Sequence, residues 1–371
     1  MMAEWSGLFE AEVLPRMDPT SRAVLAQVNR VGRDAVRLSP ADLACAGRTV
    51  GVKLKLVDFV ESIGRLDWAK TNGCPWGVQT FAVVARGGDL EALQWARENG
   101  CPWHKMACWV AASSGHLDVV EWLIGTGTDV NFTSPLDGAP AVYVAAQNGH
   151  LNVVGRMIDA GADVNIARNT GSTPLFVAAQ MGRLAVVERL IGAGADVGIA
   201  RTDTGGTPLH VATQNGYPDV VATLLATPGV DINTARTDDE STALITAAWA
   251  GHTYVAELLI AAPGVDINQA RRDGSTPLFA ASQNGHLDVV ERLLAAPGVD
   301  VNQARNTGAT PLYVAAQNGH TDVLVRLLAA PGVDVNRARD NGATPLSIAL
   351  AKGHTEVVQK LRAAGASEPH G

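Results

Sequence analysis

The chain lacks a basic excess, a long apolar run and a cysteine framework, and each shortage argues against a class of function. Lysine and arginine number 29 against 37 aspartates and glutamates, a formal net charge of −8 over 371 residues. Residues 1–104 hold twelve basic and twelve acidic side chains, so the acidic excess lies wholly downstream. Bulk nucleic-acid binding needs a cationic face to neutralise phosphates, and is therefore disfavoured. The most apolar stretch, residues 243–265, is interrupted by His252, Glu257 and Pro263, which argues against a membrane span. The opening MMAEWSGLFEAEVLPR places Glu4 before any basic residue and has no apolar run of signal length, so a secretory route is not expected. Cys45, Cys74, Cys101 and Cys108 are the only cysteines, and they show no paired spacing. Reduced thiols in the cytosol or nucleus are expected of them. Neither a phosphate-binding glycine loop nor a nucleophile elbow occurs.

What the chain has instead is repetition. From residue 139 onward one phrase returns at a period of about 34 residues, most clearly as GATPLYVAAQNGHTDVLVRLLAAPGVDVN at 308–336. Gly115, Gly149, Gly182, Gly216, Gly251, Gly285, Gly319 and Gly353 mark the period. Within the clearest unit, Thr310 is placed to cap a helix and Pro311 to occupy its first turn, where a missing N–H costs nothing. Leu312, Ala315 and Ala316 give that helix a narrow apolar face, and Gly319 supplies the left-handed residue that ends it. His320 opens the next turn. Val323, Leu324, Leu327 and Leu328 follow at helical spacing, and Pro331-Gly332 stops the second helix. Asp334-Val335-Asn336 then begins a projecting finger. Helices this short are marginal alone, so stacking of one unit on the next must supply the core.

Thr-Pro-Leu, Ala-Ala, Gly-His and Asp-Val-Asn in fixed order over about residues 105–366 resemble the ankyrin repeat family. The resemblance implies an all-α repeat solenoid of helix-turn-helix units with β-hairpin-like fingers, and a non-enzymatic scaffold for protein–protein interaction. The family's Thr-Pro-Leu-His is complete only at residues 207–210. Elsewhere Phe176, Ile245, Phe279, Tyr313 or Ser347 replaces the histidine. Upstream, Asn72-Gly73-Cys74-Pro75-Trp76 returns 27 residues later as Asn99-Gly100-Cys101-Pro102-Trp103, and Trp68 returns as Trp95. That spacing accommodates two helices and no finger, with Trp76 and Trp103 filling the finger's space. The expected organisation is a helical module at 1–50, short degenerate repeats at 51–126, regular repeats at 127–366 and a tail at 367–371.

Aspartate and histidine recur in every unit, whereas a catalytic constellation occurs once, so no enzyme activity, cofactor or metal is expected. Six of the nine histidines follow the period glycine, which points to a role in the turn. Cys101, His104, Cys108 and His116 form a local cluster without the close cysteine pair of a structural zinc site. Two rows are better candidates for partner binding. Arg168, Arg201, Arg236, Arg271, Arg305 and Arg339 occupy one equivalent place in six consecutive fingers. They form either a cationic ridge for an acidic or phosphorylated segment, or a ladder in which each arginine pairs with a neighbouring finger's carboxylate, such as Asp203, Asp238, Asp273 or Asp340. Gln147, Gln180, Gln214, Trp249, Gln283 and Gln317 stand where the family contacts partners, on the concave side, and Trp249 is the candidate hot spot. Packing between adjacent units is the alternative for its indole.

The segment LFEAEVLPRMDPTSRAVLAQVNRVGRDAV falls outside the repeat. It resembles an F-box, the helical module that docks onto the adaptor of cullin-type ubiquitin ligases, through Leu8, Leu14, Asp18, Val28 and Arg30. Phe9 replaces the usual proline and the late tryptophan is missing. The resemblance implies a substrate receptor whose adaptor-binding residues are Leu8, Leu14 and Val28. The competing expectation is a cap over the first repeat's apolar face. No lysine occurs between Lys105 and Lys352, a gap compatible with a ligase receptor and with a composition rich in Ala, Gly, Val and Arg.

Overall fold

The computed structural model describes residues 78–103 and 105–367, together with Ile63, Leu66, Asp67 and Lys70. The expected helical module at 1–50, its docking residues Leu8, Leu14 and Val28, and the placement of Trp68, Trp76 and His104 lie outside the described residues. The chain divides into two units, Met1–Thr128 and Asp129–Gly371.

The first unit contains α1 (Val78–Gly87), α2 (Leu90–Glu98), α3 (Met106–Ser114) and α4 (Leu117–Gly125). Helices α1 and α3 pack side by side, α2 backs α1 and α4 backs α3. Asp89 starts α2 by accepting the Ala92 amide at 2.9 Å. Phe81, Val84, Leu93, Ala111, Val119 and Leu123 are buried between the layers. The loop between α2 and α3 carries Trp103, whose ring lies 5.3 Å from Phe81 and 6.2 Å from Trp122. The Arg97 guanidinium lies 4.3 Å from the Trp103 centroid and 5.5 Å from that of Trp122. An arginine between two indoles is a favourable cation–π arrangement. It consolidates this loop without a finger.

The second unit is a run of seven helix pairs: α5 (Ala141–Asn148) with α6 (Leu151–Asp159), α7 (Pro174–Gln180) with α8 (Leu184–Gly192), α9 (Pro208–Gln214) with α10 (Pro218–Leu225), α11 (Ala243–Ala250) with α12 (Thr253–Ala261), α13 (Pro277–Asn284) with α14 (Leu287–Ala295), α15 (Pro311–Asn318) with α16 (Thr321–Leu328), and α17 (Pro345–Lys352) with α18 (Thr355–Ala363). First helices pack on first helices and second on second in sequence order, so the unit is an all-α solenoid. Thr310 Oγ1 accepts the Tyr313 amide at 3.1 Å and Pro311 begins α15. Thr173, Thr242, Thr276 and Thr344 cap in the same way. Leu312, Ala315, Ala316, Val323, Leu324 and Leu327 are buried, while Leu328 is half-buried. Each fully buried Val or Leu contributes about 1.5–3 kcal/mol, so the stacking interfaces hold the unit together.

Fingers are turns tied edge to edge. Arg168 donates its amide to the Ser172 carbonyl at 3.0 Å, and Asn169 reaches the preceding finger through Asp137 O at 2.8 Å. Among the described residues the single bridge Thr133–Pro140 is the extent of strand pairing, so the fingers are hairpin-like only in their turns. One backbone bond per neighbour is too short a ladder for a strand. A side-chain ladder runs beside them. Asn268 Nδ2 donates to Gly298 O at 2.7 Å while its Oδ1 accepts the Asp300 amide at 2.9 Å. Asn131, Asn165, Asn233 and Asn302 make the same two bonds to the next finger.

Candidate functional site

The residues at the end of each first helix have a fixed main chain and a partly open side chain. Gln147, Gln180, Gln283 and Gln317 are half-buried, and Gln214 and Trp249 are exposed. Four of the six carbonyls are held by a histidine of the next repeat, whose place is taken by Arg183 and Tyr217 opposite Gln147 and Gln180. His252 Nε2 lies 3.2 Å from Gln214 O, His286 Nε2 3.0 Å from Trp249 O, His320 Nε2 3.0 Å from Gln283 O and His354 Nε2 3.1 Å from Gln317 O. Asn284 and Asn318 add amide donors to the Trp249 and Gln283 carbonyls at 3.2 and 2.7 Å. The post-glycine histidines are therefore bonds between repeats as well as turn residues. Sequence reasoning missed this, although a glycine in one unit and a histidine in the next recurring together was the available signal.

The arginine row is mostly paired within the array. Arg201 bonds Asp203 with both Nε and a terminal nitrogen, Arg236 meets Asp238 at 2.5 Å and Arg271 meets Asp273 at 2.9 Å. These pairs lie within one finger, two residues apart, rather than between neighbours. Two others span fingers: Arg305 with Asp273 at 2.7 Å and Arg168 with Asp137 at 3.5 Å. Hydrogen bonds from Arg201 lower the Asp203 pKa, those from Arg236 lower Asp238 to about 2, and those from Arg271 hold Asp273 well below the carboxylate range. Arg339 differs. Among the described residues no carboxylate pairs with it, because Asn341 and Thr307 stand where Arg271 and Arg305 find Asp273.

The same guanidiniums cover aromatic rings at the start of the preceding first helix. Arg168 lies 5.7 Å from the Tyr143 centroid, Arg201 5.8 Å from Phe176, Arg305 5.4 Å from Phe279 and Arg339 5.3 Å from Tyr313. In the 236–268 repeat that ring position is Ile245. There Arg271 lies 5.9 Å from Trp249, one helical turn later. This is where the arginine row and the glutamine row meet, on an indole that is 46% exposed.

His210 keeps the complete family tetrapeptide and is buried. The Thr207 amide donates to its Nδ1 at 3.3 Å, and its Nε2 lies 3.2 Å from Ser241 O. The first bond needs a bare Nδ1 and the second a protonated Nε2, so the ring is the neutral Nε2–H form. Burial lowers its pKa to about 4. In the first unit, burial raises Cys101 to about 11 and Cys108 to about 12, and His116 Nε2 lies 2.8 Å from Arg86 O. Protonated thiols and an engaged imidazole leave that cluster poorly suited to a cation. Among the described residues no group of three or more His, Cys, Asp or Glu could hold a metal ion, and no helix is long and apolar enough to cross a membrane.

Stacked helix pairs with capped first helices, left-handed glycine closures and a finger ladder define a repeat solenoid whose function is contact with other proteins. The model of the ankyrin repeat family (three copies) matches residues 108–201, 167–236, 209–305 and 278–369. The chain belongs to the ankyrin repeat family, and its array is a protein-interaction scaffold. A search of curated protein sequences finds no match. The array is similar to the crystal structure of the ankyrin repeat domain of Bcl-3, described as a unique member of the IkappaB protein family. Identity is 28% and the TM-score 0.54, over 61% of this chain and 99% of that one.

Proposed function

We propose that the row Gln147, Gln180, Gln214, Trp249, Gln283 and Gln317 binds a segment of a protein partner, with Trp249 as its anchor. The observation that carries this reading is the half-exposed indole of Trp249 beside Arg271, at a position where the neighbouring repeats have amides. Interface energy concentrates in Trp, Tyr and Arg, and a backbone already fixed by inter-repeat bonds loses little entropy on binding. The five paired arginines, Arg168, Arg201, Arg236, Arg271 and Arg305, have much of their charge offset by Asp137, Asp203, Asp238 and Asp273. An acidic or phosphorylated residue of the partner is therefore best received near Arg339. Once a partner is isolated by a photo-crosslinker placed at position 249, calorimetry with the purified partner tests the reading. Trp249→Ala should weaken binding by at least about 2 kcal/mol. Arg339→Gln should flatten the salt dependence more than Arg236→Gln does. A loss of stability from Trp249→Ala with no loss of affinity would assign the indole to packing.

A narrower role as substrate receptor of a cullin-type ubiquitin ligase rests on the sequence pattern of Leu8, Leu14, Asp18, Val28 and Arg30 alone. In that role Leu8→Asp with Leu14→Asp abolishes co-purification of the ligase adaptor and spares binding by the repeats. Lack of binding by purified adaptor at tens of micromolar leaves the scaffold role alone.

A further inference from the structure

The second helices carry a separate surface. Along them, ion pairs link successive repeats: Arg189 to Asp159 at 2.5 Å, Arg292 to Glu257 at 3.7 Å and Arg326 to Glu291 at 3.7 Å. The pattern lapses at α10 and α12, where Thr223 and Leu258 occupy the arginine position. At this gap Tyr254 is 78% exposed, at a helix position that is Asp219 on α10 and Asp288 on α14. Open depressions of about 720 and 640 Å³ both have Tyr254 in their walls; Asp288 lines the first and Asp219 the second. Among the described residues neither aspartate carboxylate has an ion-pair partner. The surface thus combines an apolar floor from Leu258 and Pro218, an exposed ring at its centre and uncompensated negative charge at both ends.

We propose that this groove docks an extended cationic segment of a protein partner, with an arginine over the Tyr254 ring and basic residues at Asp219 and Asp288. Charge complementarity selects the occupant, because an acidic segment would meet the unpaired Asp219 and Asp288, whereas Glu257 and Glu291 in the same wall are offset by Arg292 and Arg326. A cation over a tyrosine face gains from the ring quadrupole. The spacing sets a register. Packed helices lie about 8–10 Å apart, close to the rise of three residues of extended chain, so basic residues at every third position match Asp219, Tyr254 and Asp288 in turn.

The test uses the full chain and two fluorescent peptides in anisotropy titrations, one with arginine at positions 1, 4 and 7 and one with aspartate there. The arginine peptide should bind at least tenfold more tightly. Tyr254→Ala should weaken that binding about fivefold or more, while Tyr254→Phe retains it. Asp219→Asn with Asp288→Asn should weaken it and reduce its salt dependence, whereas Asp322→Asn, at the same helix position outside the groove, leaves it unchanged. Trp249→Ala should also leave it unchanged, which keeps this result separate from that for the first-helix row. Equal binding of the two peptides, or an arginine peptide indifferent to Tyr254→Ala, overturns the proposal. Equal losses from Asp322→Asn and Asp288→Asn would assign the binding to overall acidity and overturn it too.

Discussion

The imidazole of His286 rests against the α-carbon of Gly251, and a Cβ built there would stand 2.6 Å from the ring. Gly251 also has φ 74°, the left-handed conformation that closes α11. Two constraints therefore act on one residue, one local and one from the next repeat. Gly353 separates them, because its φ is 75° and nothing lies within 4 Å of its Cβ position. Gly353→Ala should cost only the backbone penalty, about 1–2 kcal/mol. Gly251→Ala should cost at least ~1 kcal/mol more, since a rigid ring must move and its bond to Trp249 O is lost. Urea denaturation of both variants checks this. His286→Ala in the Gly251→Ala background should show a coupling that the pair Gly353→Ala and His286→Ala lacks.

That pair of residues marks how far the sequence could be read. Thr310, Pro311 and Gly319 were legible because a cap, a first-turn proline and a left-handed closure depend on neighbours in the chain. The His286 bond was not, since Trp249 lies 37 residues away and only the stacking geometry brings it near. Asp203, Asp238 and Asp273 were legible as carboxylates of the arginine row, whereas Asp137 and Asp239 went unread and Asp340 pairs with no arginine of the row among the described residues. The pairing was not legible, because whether Arg271 turns to Asp239, 4.0 Å away, or to Asp273, 2.9 Å away, is a matter of rotamer. The Trp249 position was identifiable from the period, and so was the exposed position of Tyr254, whose equivalents Asn152, Ala185, Asp219, Asp288, Asp322 and Glu356 are exposed as well.

His210 should make the array acid-sensitive in a defined window. Its folded pKa of about 4 lies below the ordinary 6.5, so between these values the unfolded chain takes up a proton that the folded chain refuses. The contribution is complete above pH 6.5 and is lost as pH falls toward 4, amounting to about 3 kcal/mol at about 1.4 kcal/mol per pH unit. Asp238 and Asp273 act elsewhere: their depressed pKa values stabilise above 3.8 and the effect is lost below it. His210→Phe places at this position the ring found at Phe176 and Phe279, and should flatten the stability profile between pH 4 and 6.5. An unchanged slope would show that His210 is not the titrating group.

Ser282 is fully buried in α13, and its hydroxyl has no hydrogen-bond partner. The equivalent residues are Ala146, Ala179, Ala248 and Ala316, so the site is built for a methyl group. Ser282→Ala should stabilise the array by about 1 kcal/mol by removing an unsatisfied buried polar group. Thr213, also fully buried with an unsatisfied hydroxyl, should gain less on Thr213→Ala, because its methyl leaves a small void. Thermal and urea unfolding of both variants measures the order.

The finger ladder lacks one rung, and its repair is a direct test of what the ladder contributes. Asn165 and Asn233 flank the gap, each bonding the next finger through both ends of its amide. Between them the equivalent residue is Gly198, whose amide still donates to Asp196 Oδ1 at 2.8 Å but which has no side chain to reach Gly229 O and the Asp231 amide. Space is available: a Cβ at Gly198 meets only Asp196 Oδ1, at 3.3 Å, and the backbone there is not left-handed. Gly198→Asn should therefore form both missing bonds and also restrict the unfolded chain. Two exposed hydrogen bonds and the loss of a glycine together predict about 1–2 kcal/mol of added stability. Hydrogen exchange locates the effect, because the Asp231 amide should slow most while that of Asp300, already held by Asn268, stays unchanged. If stability rises without protection at Asp231, the gain comes from the unfolded chain alone and the rung has not formed.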